Sequence, residues 1–323
     1  MSLFFGGNKK DEGRTVLLLD IESGSVGAAL VRLPAGGQGF SSSRPRMFGE
    51  RRVHLPAGAV RTAEGLARGI EGAITDVVQT IAEVAGRLRN VQVDLGQVRQ
   101  ASIVFAAPWG RPNLASGRPD FLDGMTGFAS GAVENTFGVV PVSLHTSAAV
   151  AAYGARSVFG TEPALLCVVG GEITELLVLD ERGVAAHATV PHGSHGLLRT
   201  LRAHGGYSEA EARSAARLPF ESKHFKEPLN ASAAHFAQLC KDAAGGLVSP
   251  GEYSRVRIVA GEPMGEWHAR ALAHDDTLTE LFPGGEVRAL RAGHLAPFVD
   301  AHAQAPDVML LLGTLFIDGQ NSR

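Results

Sequence analysis

Two apolar stretches of this chain, residues 16–31 and 164–179, repeat one pattern, and that repeat limits the fold more than any other feature. In the first, Val16-Leu17-Leu18-Leu19 leads to the small-residue turn Ser23-Gly24-Ser25, and Val26-Gly27-Ala28-Ala29-Leu30-Val31 follows. In the second, residues 164–169 and 174–179 flank Gly170-Gly171. Apolar runs on either side of a tight turn predict a β-hairpin. Each hairpin leads to a third strand, residues 51–55 and 184–190, and then to helices. An amphipathic helix is expected over 61–89, where Leu66, Ile70, Ile74, Val77, Ile81 and Leu88 recur at three- and four-residue steps. In the second half, helices are expected over 196–204 and 208–217, with Ser208 as N-cap and Glu211 completing a capping box.

The remaining pattern fills in around the repeat. Strands are expected over 101–107, 139–144, 256–259 and 286–290, and helices over 145–156, 231–244, 265–273 and 307–315. The Pro- and Gly-bearing stretches 34–46 and 112–127 read as loops. A duplicated unit in 323 residues leaves room for two lobes, each with its own core. The expected division is a loose tail over 1–13, a first lobe over 14–160 and a second over 161–323.

Several function classes are excluded or left without support. A net charge of -3 provides no basic face for nucleic acid. No run approaches the ~20 apolar residues that span a bilayer. Cys167 and Cys240 lie far apart without metal-ligand spacing, and Cys167 sits inside an apolar run, which points to a buried reduced thiol and a reducing compartment. His192 and His195 flank Gly193 with no Cys or acidic partner at ligand spacing, and read as turn or surface residues. His145 reads as a helix-start residue, and Trp109 and Trp267 as core contacts.

Four short segments in order resemble the actin-like ATPases, in particular the PilM/FtsA kind. Leu17-Leu18-Leu19-Asp20-Ile21-Glu22-Ser23-Gly24-Ser25-Val26 is similar to the first phosphate loop of that superfamily, and residues 165–175 to the second. Residues 256–261 with the helix after them resemble the adenosine segment. The stretch from His187 through Pro191-His192-Gly193 to Leu201, and then Tyr207-Ser208-Glu209-Ala210-Glu211, is similar to PilM. The resemblance covers about two-thirds of the chain. It implies an α/β, actin-like (ribonuclease H-like) duplicated fold with two lobes around a central cleft. It also implies a nucleotide site at Asp20, Ser23, Gly24, Ser25, Gly170, Gly171, Gly193, Glu211 and Gly261.

The sequence departs from the family pattern where phosphate chemistry is most demanding. Glu22 stands where a glycine is expected, and at ~5 Å and an effective dielectric near 20 a carboxylate repels each phosphate charge by about 3 kcal/mol. Val168 replaces the expected second-loop Asp, Glu172 replaces a small residue, Ser214 stands where a Lys is expected, and Glu262-Pro263 follow Gly261. The resulting expectation is a pseudo-ATPase with no cofactor. It would be a cytoplasmic scaffold, peripheral at the inner face of the membrane, of a pilus- or secretion-type assembly. Its partner would be the cytoplasmic tail of a membrane protein, and it would form a homo-oligomer. The alternatives are an actin-fold switch holding ATP with Mg, and an FtsA-like cell-division anchor. Only about thirty loop-like residues separate the strands at 101–107 and 139–144, too few for the extra subdomain of PilM and FtsA.

Overall fold

A computed structural model of the chain describes residues 13–34, 44–57, 62–90, 95–218, 226–249, 251, 253–261, 264–274 and 285–321. Most of the expected tail and of the 34–46 loop, and Glu262-Pro263, lie outside them. The chain opens with β1 (Arg14–Ile21), β2 (Ser25–Leu33) and β3 (Arg46–His54), then helix α1 (Ala63–Asn90) and β4 (Val98–Phe105). A short pair, β5 (Gly110–Arg111) and β6 (Asp120–Phe121), precedes α2 (Asp123–Phe137), β7 (Val142–Thr146) and α3 (Ser147–Phe159). The second half runs β8 (Ala164–Val169), β9 (Thr174–Leu179), β10 (Val184–Val190), α4 (Ser194–Gly205), α5 (Glu209–Ala215) and α6 (Lys226–Gly245). It ends with β11 (Arg255–Ala260), α7 (Met264–His274), β12 (Glu286–Ala289), α8 (Ala292–Leu295), β13 (Asp300–Ala301) and α9 (Val308–Asn321).

The repeat read from the sequence is present in the sheets. The first runs β13-β3-β2-β1-β4-β7 and the second β10-β9-β8-β11-β12. In both, a three-strand antiparallel meander is extended by parallel strands on the far side of its first strand. Period-two alternation then sorts each apolar run between two faces. Leu17, Leu19 and Ile21 pack towards α1 and α2, whereas Val16 and Leu18 pack towards α3 and α9. Likewise Leu165, Cys167 and Val169 face α4, α6 and α7, and Leu166 and Val168 face α3 and α9. Helices α3 and α9 therefore share one core with both sheets. Strands buried on both faces read as unbroken apolar runs, which is why these were the most legible elements.

Three features differ from expectation. Residues 112–127 were expected to be loop, but hold β6 and the start of α2. Met125, Ala129 and Val133 recur at four-residue steps and are buried against α1, so packing overrides the weak propensity of Gly124, Gly127 and Gly131. His145 lies within β7 and does not start a helix. The N-cap of α3 is Thr146, whose hydroxyl accepts from the N–H of Ala149 at 3.3 Å. Finally, the end of the chain returns to the first sheet, where β13 pairs with β3 and α9 packs on β1. Ten consecutive residues of α9, Val308 to Ile317, are buried. Gly313 lets the helix lie close to Leu18: a Cβ there would meet Leu18 Cδ2 at 2.8 Å.

Candidate functional site

The two hairpin turns meet between the sheets. Asp20, the last residue but one of β1, is 2% exposed; Ser23 and Ser25 are buried beside it. Arg52 of β3 reaches over β2, opposite Gly27 in the register, where a Cβ would lie 2.7 Å from the guanidinium. From there it binds three carboxylates. Its Nη2 contacts Asp20 Oδ2 at 2.6 Å, its Nη1 contacts Glu22 Oε1 at 2.7 Å, and its Nε contacts Asp307 Oδ2 at 2.5 Å. Nη1 also donates to Ser25 Oγ at 2.8 Å, and Ser25 Oγ donates to Glu22. Asp307 in turn caps α9, accepting from the N–H groups of Met309 and Leu310 at 2.9 and 3.1 Å. The indole of Trp109 braces the turn from below, donating to the Glu22 carbonyl at 3.2 Å.

One guanidinium cannot balance three buried carboxylates. Burial raises the Glu22 carboxyl to about 7, against the pull of Arg52, and raises Asp20 as well. Burial would also raise Asp307, but Arg52 and the α9 amides hold it below its ordinary value.

The second turn is neutralised separately. Glu172 accepts from His195 Nδ1 at 2.9 Å and from both Arg199 nitrogens at 2.9 and 2.8 Å. Although burial opposes it, these donors bring its carboxyl down to about 2. The first amides of α4 are already used: Ser194 N–H donates to the Gly170 carbonyl at 3.0 Å and His195 N–H to Gly171 at 2.8 Å. Gly193 permits that approach, since a Cβ there would fall 2.4 Å from the Gly170 oxygen.

Across the cleft, Ser23 Oγ accepts from the N–H groups of Glu172 and Ile173 at 2.9 and 3.2 Å. Gly24 and Gly171 touch through their backbones: a Cβ built on either would lie 2.5 or 2.3 Å from the other's Cα. Outside this contact lies a cavity of about 340 Å³ bounded by Ser25, Arg52, His195, Glu209, Arg213 and Gly261. It adjoins a second of about 670 Å³ that shares Arg52, His54, Arg217 and Gly261.

The structure thus brings together Asp20, Ser23, Gly24, Ser25, Gly170, Gly171 and Gly193, with Gly261 on the cavity wall. Glu211 is the exception. Its carboxylate is engaged by the backbone and hydroxyl of Ser208 at 2.8 and 2.7 Å, completing the expected capping box. The face of α5 turned to the cavity instead carries Glu209 and Arg213, paired at 2.8 Å. The residue that sequence reasoning missed is Arg52. The surplus of acid at 20 and 22 calls for a cation, but only the β2–β3 register selects Arg52 from 30 Lys and Arg. His195, read as a turn or surface residue, is 2% exposed and part of the site. Among the described residues, no cluster of His, Cys, Asp and Glu could hold a metal ion.

No family model matches the chain. No curated protein matches it either. Solved structures do. The ethanolamine utilization protein EutJ from Carboxydothermus hydrogenoformans superposes with a TM-score of 0.55 at 15% identity, covering 94% of this chain and 88% of that one. A PilM–PilN type IV pilus biogenesis complex gives 0.59 at 12% identity, covering 94% and 98%. The class is therefore defined: this is a protein of the actin-like fold, with two lobes around a cleft, as the hairpin resemblance implied. Within that class the chain is similar to PilM over nearly its whole length.

Proposed function

We propose that this protein is a pseudo-ATPase scaffold of the actin-like class, holding the cytoplasmic tail of a membrane protein in a pilus- or secretion-type assembly. The observation that carries the reading is the ion pair between Asp20 and Arg52. In this fold the acid ending the first strand is the group that would hold magnesium, through water. Here it is buried at 2.6 Å from a guanidinium, so the residues present do not fit Mg·ATP. Glu22 and Glu172 add carboxylates where phosphate oxygens would come, the first sharing Arg52 with Asp20 and Asp307 and the second held by Arg199.

The partner reading rests on the likeness to the PilM–PilN complex and on a groove of the first lobe. Between α1 and α2 lies a depression of about 340 Å³, walled by Val78, Phe128, Gly131 and Ala132. Phe128 is 37% exposed and Leu122, the residue just before α2, 52%. Apolar side chains left open beside small residues suit a short extended or helical tail with apolar anchors. Among the described residues no helix is long and apolar enough to cross a membrane, so attachment would come through the partner. Burial of α9 on both sides weighs against the alternative of an FtsA-like anchor using this helix.

The test is affinity capture from detergent-solubilised membranes, followed by titration of a synthetic tail of the captured protein. The reading expects a single-span membrane protein whose tail binds the unaltered chain and loses binding to Phe128→Asp. A tail that binds both equally, or no membrane protein at all, refutes it. The competing reading, a nucleotide-dependent switch, is favoured by the two adjoining cleft cavities, and tight binding of magnesium ATP would establish it.

A further inference from the structure

We infer that the cleft of this protein is liganded by the protein itself: Ser23 takes the place of a phosphate oxygen, and Ala57 ties the lobes together beside it. This deepens the reading above and rests on it.

The second hairpin points the N–H groups of Glu172 and Ile173 at one spot, the arrangement with which a tight turn cradles an anion. That spot is filled by Ser23 Oγ from the opposite sheet, at 2.9 and 3.2 Å, and Ser23 is wholly buried. The neighbouring backbones close the remaining space. A methyl carbon on Gly24 would fall 2.5 Å from Gly171 Cα, so no phosphate group fits between these two residues, and the cavity of about 340 Å³ that both turns border starts outside their contact.

A second tie lies just beyond β3. Ala57 crosses to the second lobe, where it is 1% exposed within the core formed by α4, α6 and α7. Its N–H donates to Glu209 Oε2 at 3.0 Å, and its carbonyl accepts from Arg199 Nη1 at 3.3 Å. Arg199 is the residue that also holds Glu172, so the two ties share one side chain. Lobes of two-domain proteins commonly close around a ligand that bridges them. Here the bridging groups are a hydroxyl, a glycine contact and a peptide unit of the chain itself. Closure then needs no nucleotide, and the first-lobe groove is presented to its partner in one fixed state.

The test is amide hydrogen exchange, read at single-residue level on the full chain, with small-angle scattering in parallel. Three proteins are compared: unaltered, Ser23→Ala and Glu209→Ala, each with and without magnesium ATP. Self-ligation predicts exchange at Glu172 and Ile173 faster by about tenfold or more in Ser23→Ala, and a matching rise at Ala57 in Glu209→Ala. It also predicts that the unaltered protein keeps the same radius of gyration when nucleotide is added. Unchanged exchange at those amides in both variants overturns the self-ligation while leaving the scaffold reading intact. Protection of residues 20–26 of the unaltered protein by magnesium ATP overturns the scaffold reading, and compaction by it overturns both.

Discussion

Replacing Arg52 with Met keeps the length of the buried stem and removes the charge on which three carboxylates depend. The Arg52 side chain is 9% exposed and its partners Asp20, Glu22 and Asp307 are 3%, 14% and 16% exposed, so water cannot replace the guanidinium. Breaking a buried pair by removing one partner costs about 3–5 kcal/mol. The variant can limit the loss only by protonating the acids. A carboxyl whose folded value is raised contributes stability that is complete below its unfolded value and is lost as pH rises through the folded one. Glu22 already stands at about 7 with Arg52 present, against 4.5 for the free side chain. Without Arg52 it and Asp20 rise further, so the variant regains about 1.4 kcal/mol per group for each unit the pH falls towards the unfolded values. The unaltered protein gains from the same protonation below about 7, so the difference between the two narrows only where their protonation states differ. The expected deficit is therefore about 3–5 kcal/mol at pH 7.5 and about 1 kcal/mol smaller at pH 5. Urea unfolding followed by circular dichroism and by the fluorescence of Trp109, which touches the hairpin, reads both numbers. A deficit below about 1 kcal/mol at pH 7.5, or one independent of pH, would refute the view of Arg52 as the cation of this site.

Other parts of the account predict separate outcomes. His268 is buried, and burial brings its ring down to about 3, so it must take up a proton on unfolding below 6.5. A group with a depressed folded value loses its contribution as pH falls, so the cost of His268→Leu, measured by denaturation, shrinks by about 1.4 kcal/mol per pH unit between 6.5 and the acid limit. Gly154 faces Leu312 across the α3–α9 contact, where a Cβ would come within 2.0 Å of Leu312 Cδ2. Gly154→Val should overpack that shared core by about 1–3 kcal/mol, visible as a lower urea midpoint with unchanged slope. Thr146→Ala removes the α3 N-cap and should cost about 1 kcal/mol by the same measurement.

What could be read in the sequence was what local pattern decides. Residues 164–169, 174–179 and 184–190 were placed to the residue, because the first two are buried on both faces and all three are punctuated by Gly or Asp turns. The capping box at Ser208 was legible for the same reason: four adjacent residues specify it. Helix α2 was hidden by Gly124, Gly127 and Gly131, whose low propensity is overcome only by packing on α1. The return of the chain end to the first sheet, through β13 and α9, has no local signature at all. In the site, the turns were found but their partners were not. Arg52 depends on the register of β3, Asp307 lies 255 residues from it, and Ser23 meets Glu172 across 149 residues. Glu211 differs from the rest: its Oε2 completes the cap at Ser208, and the face of α5 that lines the cavity carries Glu209 and Arg213.

Whether this cleft can take nucleotide is read by titration calorimetry of the full chain with ATP in excess magnesium. With Asp20 held by Arg52 and the second-hairpin amides held by Ser23, the expected result is no saturable heat up to millimolar nucleotide. One-to-one binding with a micromolar or tighter constant would mean that these side chains yield to phosphate and metal, and the account would fail.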